Sequence, residues 1–406
     1  MPETRCFPPE AYISFLGTLL PNRQLLANLP VQLHRSKQTA FVFLSLCGIL
    51  ILKSTAMASL PLPRVESLLD YTSFELTVLP YLTQLQWLPD SLREAGSDVH
   101  SLRAVYLATN PLVSAIAFCG VLAGLLFIAA EINRNYSQID RFWSILPALY
   151  NVHFALWARL SGIQTQTLDT IAVVTVLWSI RLTFNYWRKG GYSIGSEDYR
   201  WEVVRSKVNN SFVFMIFNLG FISIAQSLLL LLITTPTYIF VVAAYNQGPE
   251  TFGLPDLAFS RAAFFFIIIE FFADGQQWKF QSAKKEYQTN ARIPEPYKDQ
   301  FSAEDLERGF VVSGLWSWSR HPNFVAEQAF WLTMYLWSCY RTETYFNWTG
   351  LGALGTLAIF QGSVRLTEAI TAGKYPEYSD YQARVGRFIP RLSVKAKKTK
   401  ASKKST

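Results

Sequence analysis

Apolar residues in this chain are gathered into runs of about 20, the length a helix needs to cross a bilayer. Eight such runs stand out, at about 38–58, 111–130, 143–160, 167–187, 211–235, 257–278, 322–340 and 349–367. The pattern predicts an all-α, polytopic membrane helix bundle. The stretch 211–245 is too long for one span and too short for two with a turn, and Pro236 follows Thr234 and Thr235 near its far end. One tilted span with a short re-entrant or interfacial extension is expected there.

Basic residues decide the orientation, because Lys and Arg are retained on the cytosolic side. With both termini cytosolic, 28 of the 37 Lys and Arg residues fall in inside segments and only Arg64, Arg93, Arg103 and Arg341 in outside loops. The net charge of +8 then reflects membrane orientation and attraction to anionic lipid, and no nucleic-acid motif accompanies it. The last twelve residues carry six lysines and read as a disordered cytosolic tail. Lys403 and Lys404 stand third and fourth from the end, as in the dilysine retrieval signal of endoplasmic-reticulum membrane proteins. Cys6, Cys47, Cys119 and Cys339 show neither a close pair nor metal-ligand spacing, so neither a disulfide framework nor a metal site is expected. Three regions result: an accessory segment 1–110 with one span, a membrane domain 111–392, and the tail 393–406.

Ionisable groups inside or at the mouth of a span are costly and mark function by default. They form four clusters. Asp140, Trp143 and Ser144 sit at the entry to the third run, where Asp140 also suits a helix cap. Arg181 lies almost two turns inside the fourth run and needs a partner; Arg188, Lys189 and the Glu197-Asp198-Tyr199-Arg200 loop follow it. Glu270, Asp274 and Gln277 share one face of the sixth run, ahead of Trp278 and Lys279. Finally, Arg320-His321-Pro322-Asn323 opens the seventh run, with Glu327 one turn on. Pro322 suits the first helical position, the free amides there favour an anion, and Arg320 and His321 add positive charge. Beyond the last run, Tyr378 and Tyr381 precede Phe388-Ile389-Pro390.

These motifs, in this order over roughly residues 110–392, resemble the steroid 5-alpha-reductase C-terminal-like, DUF1295 membrane proteins. The resemblance implies seven spans after an extra N-terminal one. It also implies a cytosolic-side cavity holding NADPH, and reduction of an activated carbon–carbon double bond in a lipophilic sterol, polyprenol or acyl-type substrate. Carried over by motif, Asp274, Asn323, Glu327 and Tyr381 are cofactor-binding positions with Arg320 and His321 beside them; Arg181, Gln277, Lys279 and Tyr378 complete the candidate set. Where the steroid reductases carry Glu-Leu-Pro and a catalytic tyrosine, this chain has Ile145-Leu146-Pro147 and Trp178. Replacement proton donors are Asp140, Tyr150, His153 and Tyr186, with Asp140 and Tyr150 preferred as catalytic residues.

Two other classes share the pattern. One is a membrane methyltransferase using S-adenosylmethionine, since isoprenylcysteine carboxyl methyltransferases carry a similar Arg-His-Pro turn. The other is a lipid-binding membrane protein without catalysis. The number of cations near the cavity favours a phosphate-rich dinucleotide.

Overall fold

A computed structural model describes residues 60–163, 166–248 and 251–391, and within them the apolar runs become helices. In chain order these are α1 (Pro111–Asn133), α2 (Leu146–Leu160), α3 (Gln166–Arg188), α4 (Tyr199–Val208) and α5 (Ser211–Phe217). A π-helical segment (Asn218–Ala225) leads to α6 (Gln226–Leu232) and α7 (Thr235–Gln247). Then come α8 (Leu254–Asn290), α9 (Pro322–Arg341), α10 (Gly350–Lys374) and α11 (Tyr378–Arg384). No named strand occurs among the described residues; the one isolated bridge pairs Ser319 with Gly386.

The helix starts follow from local chemistry. Asn110 caps α1 by accepting the Leu112 N–H at 2.9 Å, with Pro111 at the first helical position, where its missing N–H has no cost. Pro322 does the same at the first position of α9, and Pro147, Pro236 and Pro255 stand at the second position of α2, α7 and α8, where the N–H has no intrahelical partner either.

Among the described residues, three helices are long and apolar enough to cross a membrane: α1, α3 and the run Ser211–Gln247. That marks a membrane protein. The runs expected at 143–160, 257–278, 322–340 and 349–367 are helical too, as α2, α8, α9 and α10. However, α2 has only 15 residues. The others mix carboxylates, guanidinium groups and aromatic polar atoms into their apolar sequence, so length and composition alone do not single them out. The run at 38–58 and the tail 393–406 lie outside the described residues.

Turn residues Ile233 and Thr234 interrupt the long 211–247 stretch, and residues 235–244 of α7 are all buried. A helix apolar on every side belongs in the interior, and α7 packs against α1, α2, α3 and α9. The expected extension of the span is therefore a helix enclosed by the protein. Gly352 of α10 closes on the same turn: a Cβ there would stand 2.3 Å from the Leu232 carbonyl oxygen.

Residues 60–110 cap this end of the bundle. Asn246 accepts from Val65 N–H at 3.1 Å and donates to the Pro63 carbonyl at 3.0 Å. Tyr238 donates to the Thr77 carbonyl at 2.7 Å, while Asn110 donates to Tyr238 at 3.0 Å and to the Pro61 carbonyl at 2.8 Å. Buried amides and hydroxyls satisfied across such distances in sequence tie the cap to the helices, and both belong to the compact unit Ala58–Thr406.

Candidate functional site

Three inner helices meet at one guanidinium. Arg181 of α3 is 9% exposed, and it contacts Glu270 and Asp274 of α8 and Glu327 of α9. The i, i+4 spacing of Glu270 and Asp274 puts both on the α8 face that packs on α3 and α9. Nη1 donates to Asp274 Oδ2 at 2.9 Å and Nη2 to Glu327 Oε2 at 3.1 Å. Asn323, one turn before Glu327, donates to the other Asp274 oxygen at 3.1 Å.

Glu327 is held by indoles as well. Trp178 Nε1 donates to its Oε2 at 3.0 Å and Trp331 Nε1 to its Oε1 at 2.9 Å. Trp178 and Phe330, both buried, stack at 6.0 Å beside the group. A buried carboxylate is tolerable only with partners of this kind. The indole at 178 thus fixes a carboxylate.

A cavity of about 670 Å³ opens beside this centre. That is within the range of small-molecule sites. Arg181, Asp274, Asn323 and Glu327 form one part of its lining, and Asp140, Tyr186, Lys189 and Arg200 another. Phe217 and Phe221 from α5 and the π-helical segment, with Phe324, Ile359, Phe360 and Leu366, supply apolar wall. Residues from α3, α4, α8, α9 and α10 therefore converge on one hollow.

Near its polar rim, Asp140 accepts the Trp201 indole N–H at 2.8 Å. Burial pushes the Asp140 carboxyl up from its ordinary range, against the opposing pull of Arg200 and Trp201. Burial also acts on Asp198, but the Arg200 guanidinium, 2.8 Å away, outweighs it and holds that carboxyl down. Arg200 further donates to Ser363 of α10 at 2.9 Å. Lys189 has no ion pair within 4 Å among the described residues.

Other candidates lie elsewhere. Tyr150 is buried where α2 faces α1, with its ring edge-on to Phe118, and does not line the cavity. His153 joins Tyr106 and the Pro111 carbonyl at 2.8 and 2.9 Å in the cap contact. Gln277 and Lys279 are outside the lining, Lys279 being exposed.

Arg320 and His321 converge on Glu368 of α10. Arg320 donates at 2.7 and 3.0 Å to its two oxygens, His321 Nε2 is 3.0 Å away, and Gln382 donates at 3.1 Å. Burial would raise the Glu368 carboxyl, but the bonds from His321 and Arg320 prevail and hold it down at about 2. Tyr378 and Tyr381 pack on Phe310, and Tyr381 donates to the Trp316 carbonyl at 2.5 Å. Burial lifts the Tyr378 phenol to about 12. This second cluster ties the start of α9 to the C-terminal segment.

Sequence reasoning did not single out Asn185, Gln226, Phe217 or Phe221. Gln226 accepts the Trp143 indole N–H at 2.8 Å. Its signal was present, an amide inside the apolar run 219–233. The two phenylalanines gave none, because lipid-facing and cavity-facing aromatics look alike in sequence.

Fold and site together define a helical membrane protein whose inner helices share a buried ionic centre beside a ligand-sized cavity. The chain belongs to the DUF1295 family: residues 126–385 match the family described as "Protein of unknown function (DUF1295)". That match includes every residue lining the cavity. The chain is also 38% identical over 331 residues to an uncharacterized protein of Schizosaccharomyces pombe, covering 82% of this chain and 93% of that one. No solved structure matches it.

Proposed function

We propose that the protein is a multi-pass membrane reductase of the endoplasmic reticulum. It uses NADPH to reduce an activated carbon–carbon double bond in a lipophilic substrate drawn from membrane lipid. In this reading α1, α2, α3, the 211–247 run, α8, α9 and α10 are the seven spans of a steroid 5-alpha-reductase-like domain, with both chain termini cytosolic.

The observation that carries the reading is the convergence of Asp274, Asn323 and Glu327 with Arg181 on one end of a 670 Å³ cavity. Amide and carboxylate groups at that end suit a carboxamide and ribose hydroxyls. Arg320 and His321, expected beside the phosphates, are engaged by Glu368, so phosphate oxygens fall to Lys189 and Arg200 in the lining. Lys189, which makes no ion pair within 4 Å among the described residues, fits that role.

When bound, the cofactor supplies hydride to the electron-poor carbon. The residues of the chain bind, orient and protonate. Asn323 and Glu327, fixed by Asp274 and the two indoles, orient the carrier. Asp140, whose carboxyl is pushed toward its protonated form, donates to the substrate oxygen as negative charge builds there. Tyr186 is the neighbouring hydroxyl in the lining. The phenylalanine wall excludes water and accepts the apolar body of the substrate.

One observation favours a second reading, an S-adenosylmethionine-dependent methyltransferase. Carboxylates in the lining (Asp140, Asp198, Asp274, Glu327) outnumber its cations (Arg181, Lys189, Arg200), which suits a cationic sulfonium. Detergent-purified protein titrated with each cofactor decides between them. NADPH binding that Lys189→Ala weakens supports the reductase; binding of S-adenosylmethionine alone overturns it.

A further inference from the structure

Three glycines of α10 record where it leaves its neighbour. A Cβ on Gly352 would strike the Leu232 carbonyl, and one on Gly355 would stand 2.7 Å from Leu229 Cδ1. So α10 runs antiparallel to the 211–247 stretch and touches α6 along this part. A Cβ on Gly362, about two turns further on, would meet nothing within 4 Å. The same register sets Gly362 opposite the π-helical segment. There the two elements part, and the packing of α10 on this stretch is with α6. Arg200 closes the far edge by donating to Ser363 Oγ at 2.9 Å. At the helical rise per residue, the slot between Gly355 and Ser363 is about 12 Å tall.

The cavity emerges in this slot. Along the outward face of α10 the exposed residues are Leu351, Leu354, Ala358, Gly362 and Arg365, at helical spacing. Ala358 and Gly362 also line the cavity. On the facing stretch Ile216, Phe221, Ile224 and Leu228 are exposed, and Phe221 lines the cavity too. Residues that belong at once to an outward stripe and to the lining mark where the hollow reaches the surface. Phe217 and Phe221 stack with centroids 5.2 Å apart and form one post of the opening. Irregular π turns such as theirs are frequent at functional sites. Phe221 stands about 15 Å along the helix from Ser211, which is mid-depth in a hydrocarbon layer about 30 Å thick. A gap of that depth and apolarity meets lipid rather than water.

We infer that the slot between α10 and the π-helical segment is the entrance by which a hydrocarbon chain of the substrate passes from the bilayer into the cavity, with Gly362 and Ala358 setting its width. The inference rests on the reading of the cavity as the site of a lipophilic substrate. It adds the route and the substrate class: a lipid with a flexible chain, whose tail lies in the slot while its polarised end reaches Asp140, Asn323 and Glu327. Lipid tails are as apolar as the side chains of the rim, so the chain moves between bilayer and cavity without crossing water. Gly362 and Ala358 carry the two smallest side chains available, and any larger group there narrows the opening. They are specificity-determining positions, away from the reacting atoms.

The test uses full-length protein reconstituted in phosphatidylcholine vesicles that contain a fatty acid with a photoreactive diazirine on its chain. After illumination, peptide mass spectrometry is expected to find the probe on Trp143 and Leu182, which line the cavity and pack against the protein core. It should also mark the exposed Leu125 of α1 and Phe265 of α8. Gly362→Trp should abolish labelling of Trp143 and Leu182 and leave that of Leu125 and Phe265 unchanged. Leu354→Trp, on the same face of α10 but on the closed side of Gly355, should change neither. Should Gly362→Trp fail to fold, Ala358→Phe is measured in its place. Absence of label from Trp143 and Leu182 in the unmodified protein, or their undiminished labelling in the Gly362 variant, overturns the inference; NADPH binding then leaves the reductase reading standing. If label enters by the slot but neither NADPH nor S-adenosylmethionine binds, the functional reading falls and the entrance stands.

Discussion

Arg181 Nη2 lies 3.1 Å from Glu327 Oε2, although 146 positions separate the two residues in the chain. Through this contact α3 and α9 are held by charge as well as by packing. Removing the cation strands three buried carboxylates, a loss of about 3–5 kcal/mol for a broken buried pair. Arg181→Met is therefore expected to lower the unfolding midpoint sharply or abolish recovery of monodisperse protein. Size-exclusion chromatography and thermal unfolding in detergent check this.

Asn323 and Glu327 stand one turn apart but should answer differently to truncation. Asn323→Ala loses the bond to Asp274 and the local one accepted from the Phe324 N–H, each worth about 1 kcal/mol, and should reduce NADPH affinity about tenfold with a smaller fall in unfolding temperature than Glu327→Ala. Glu327→Ala leaves the Trp178 and Trp331 indole donors unpaired and takes one carboxylate from Arg181, and should destabilise by about 3 kcal/mol or more. A calorimetric titration beside a melting curve separates binding from stability for each variant.

Glu368 sets an acid limit on stability. Its carboxyl drops from an ordinary 4.5 to about 2 in the folded chain. A depressed carboxyl stabilises the fold fully above the unfolded value, and that contribution fades as pH falls through the folded one. The contacts of the C-terminal segment should accordingly loosen between about pH 4.5 and pH 2. Limited proteolysis with an acid protease would show release of residues beyond 374. Glu368→Gln should flatten the pH dependence across that window and lower stability at neutral pH.

Gly352 tests the enclosure of α7. A methyl group there would meet the Leu232 carbonyl oxygen at 2.3 Å and Ile233 N at 2.6 Å, both backbone atoms that cannot rotate aside. Gly352→Ala should cost about 1–3 kcal/mol by overpacking. The nearby Gly362, whose added Cβ meets nothing within 4 Å, provides the control, since Gly362→Ala should leave the unfolding curve nearly unmoved.

The sequence by itself determined the class, a helical membrane protein. Apolar runs of spanning length and prolines at helix starts were sufficient, because bilayer thickness and helix geometry translate directly into length and period. Arg181, Asp274, Asn323 and Glu327 were also legible, since charged and amide groups are conspicuous in an apolar run. Which partner each would find was not. Only the tertiary structure decided that Arg181 meets three carboxylates, that Arg320 and His321 are spent on Glu368, and that Tyr150 turns toward α1 while Asp140 faces the cavity. Helical period fixes the face a residue occupies on its own helix. The partner is fixed by how helices distant in the chain pack together, and that information is spread over every contact between them.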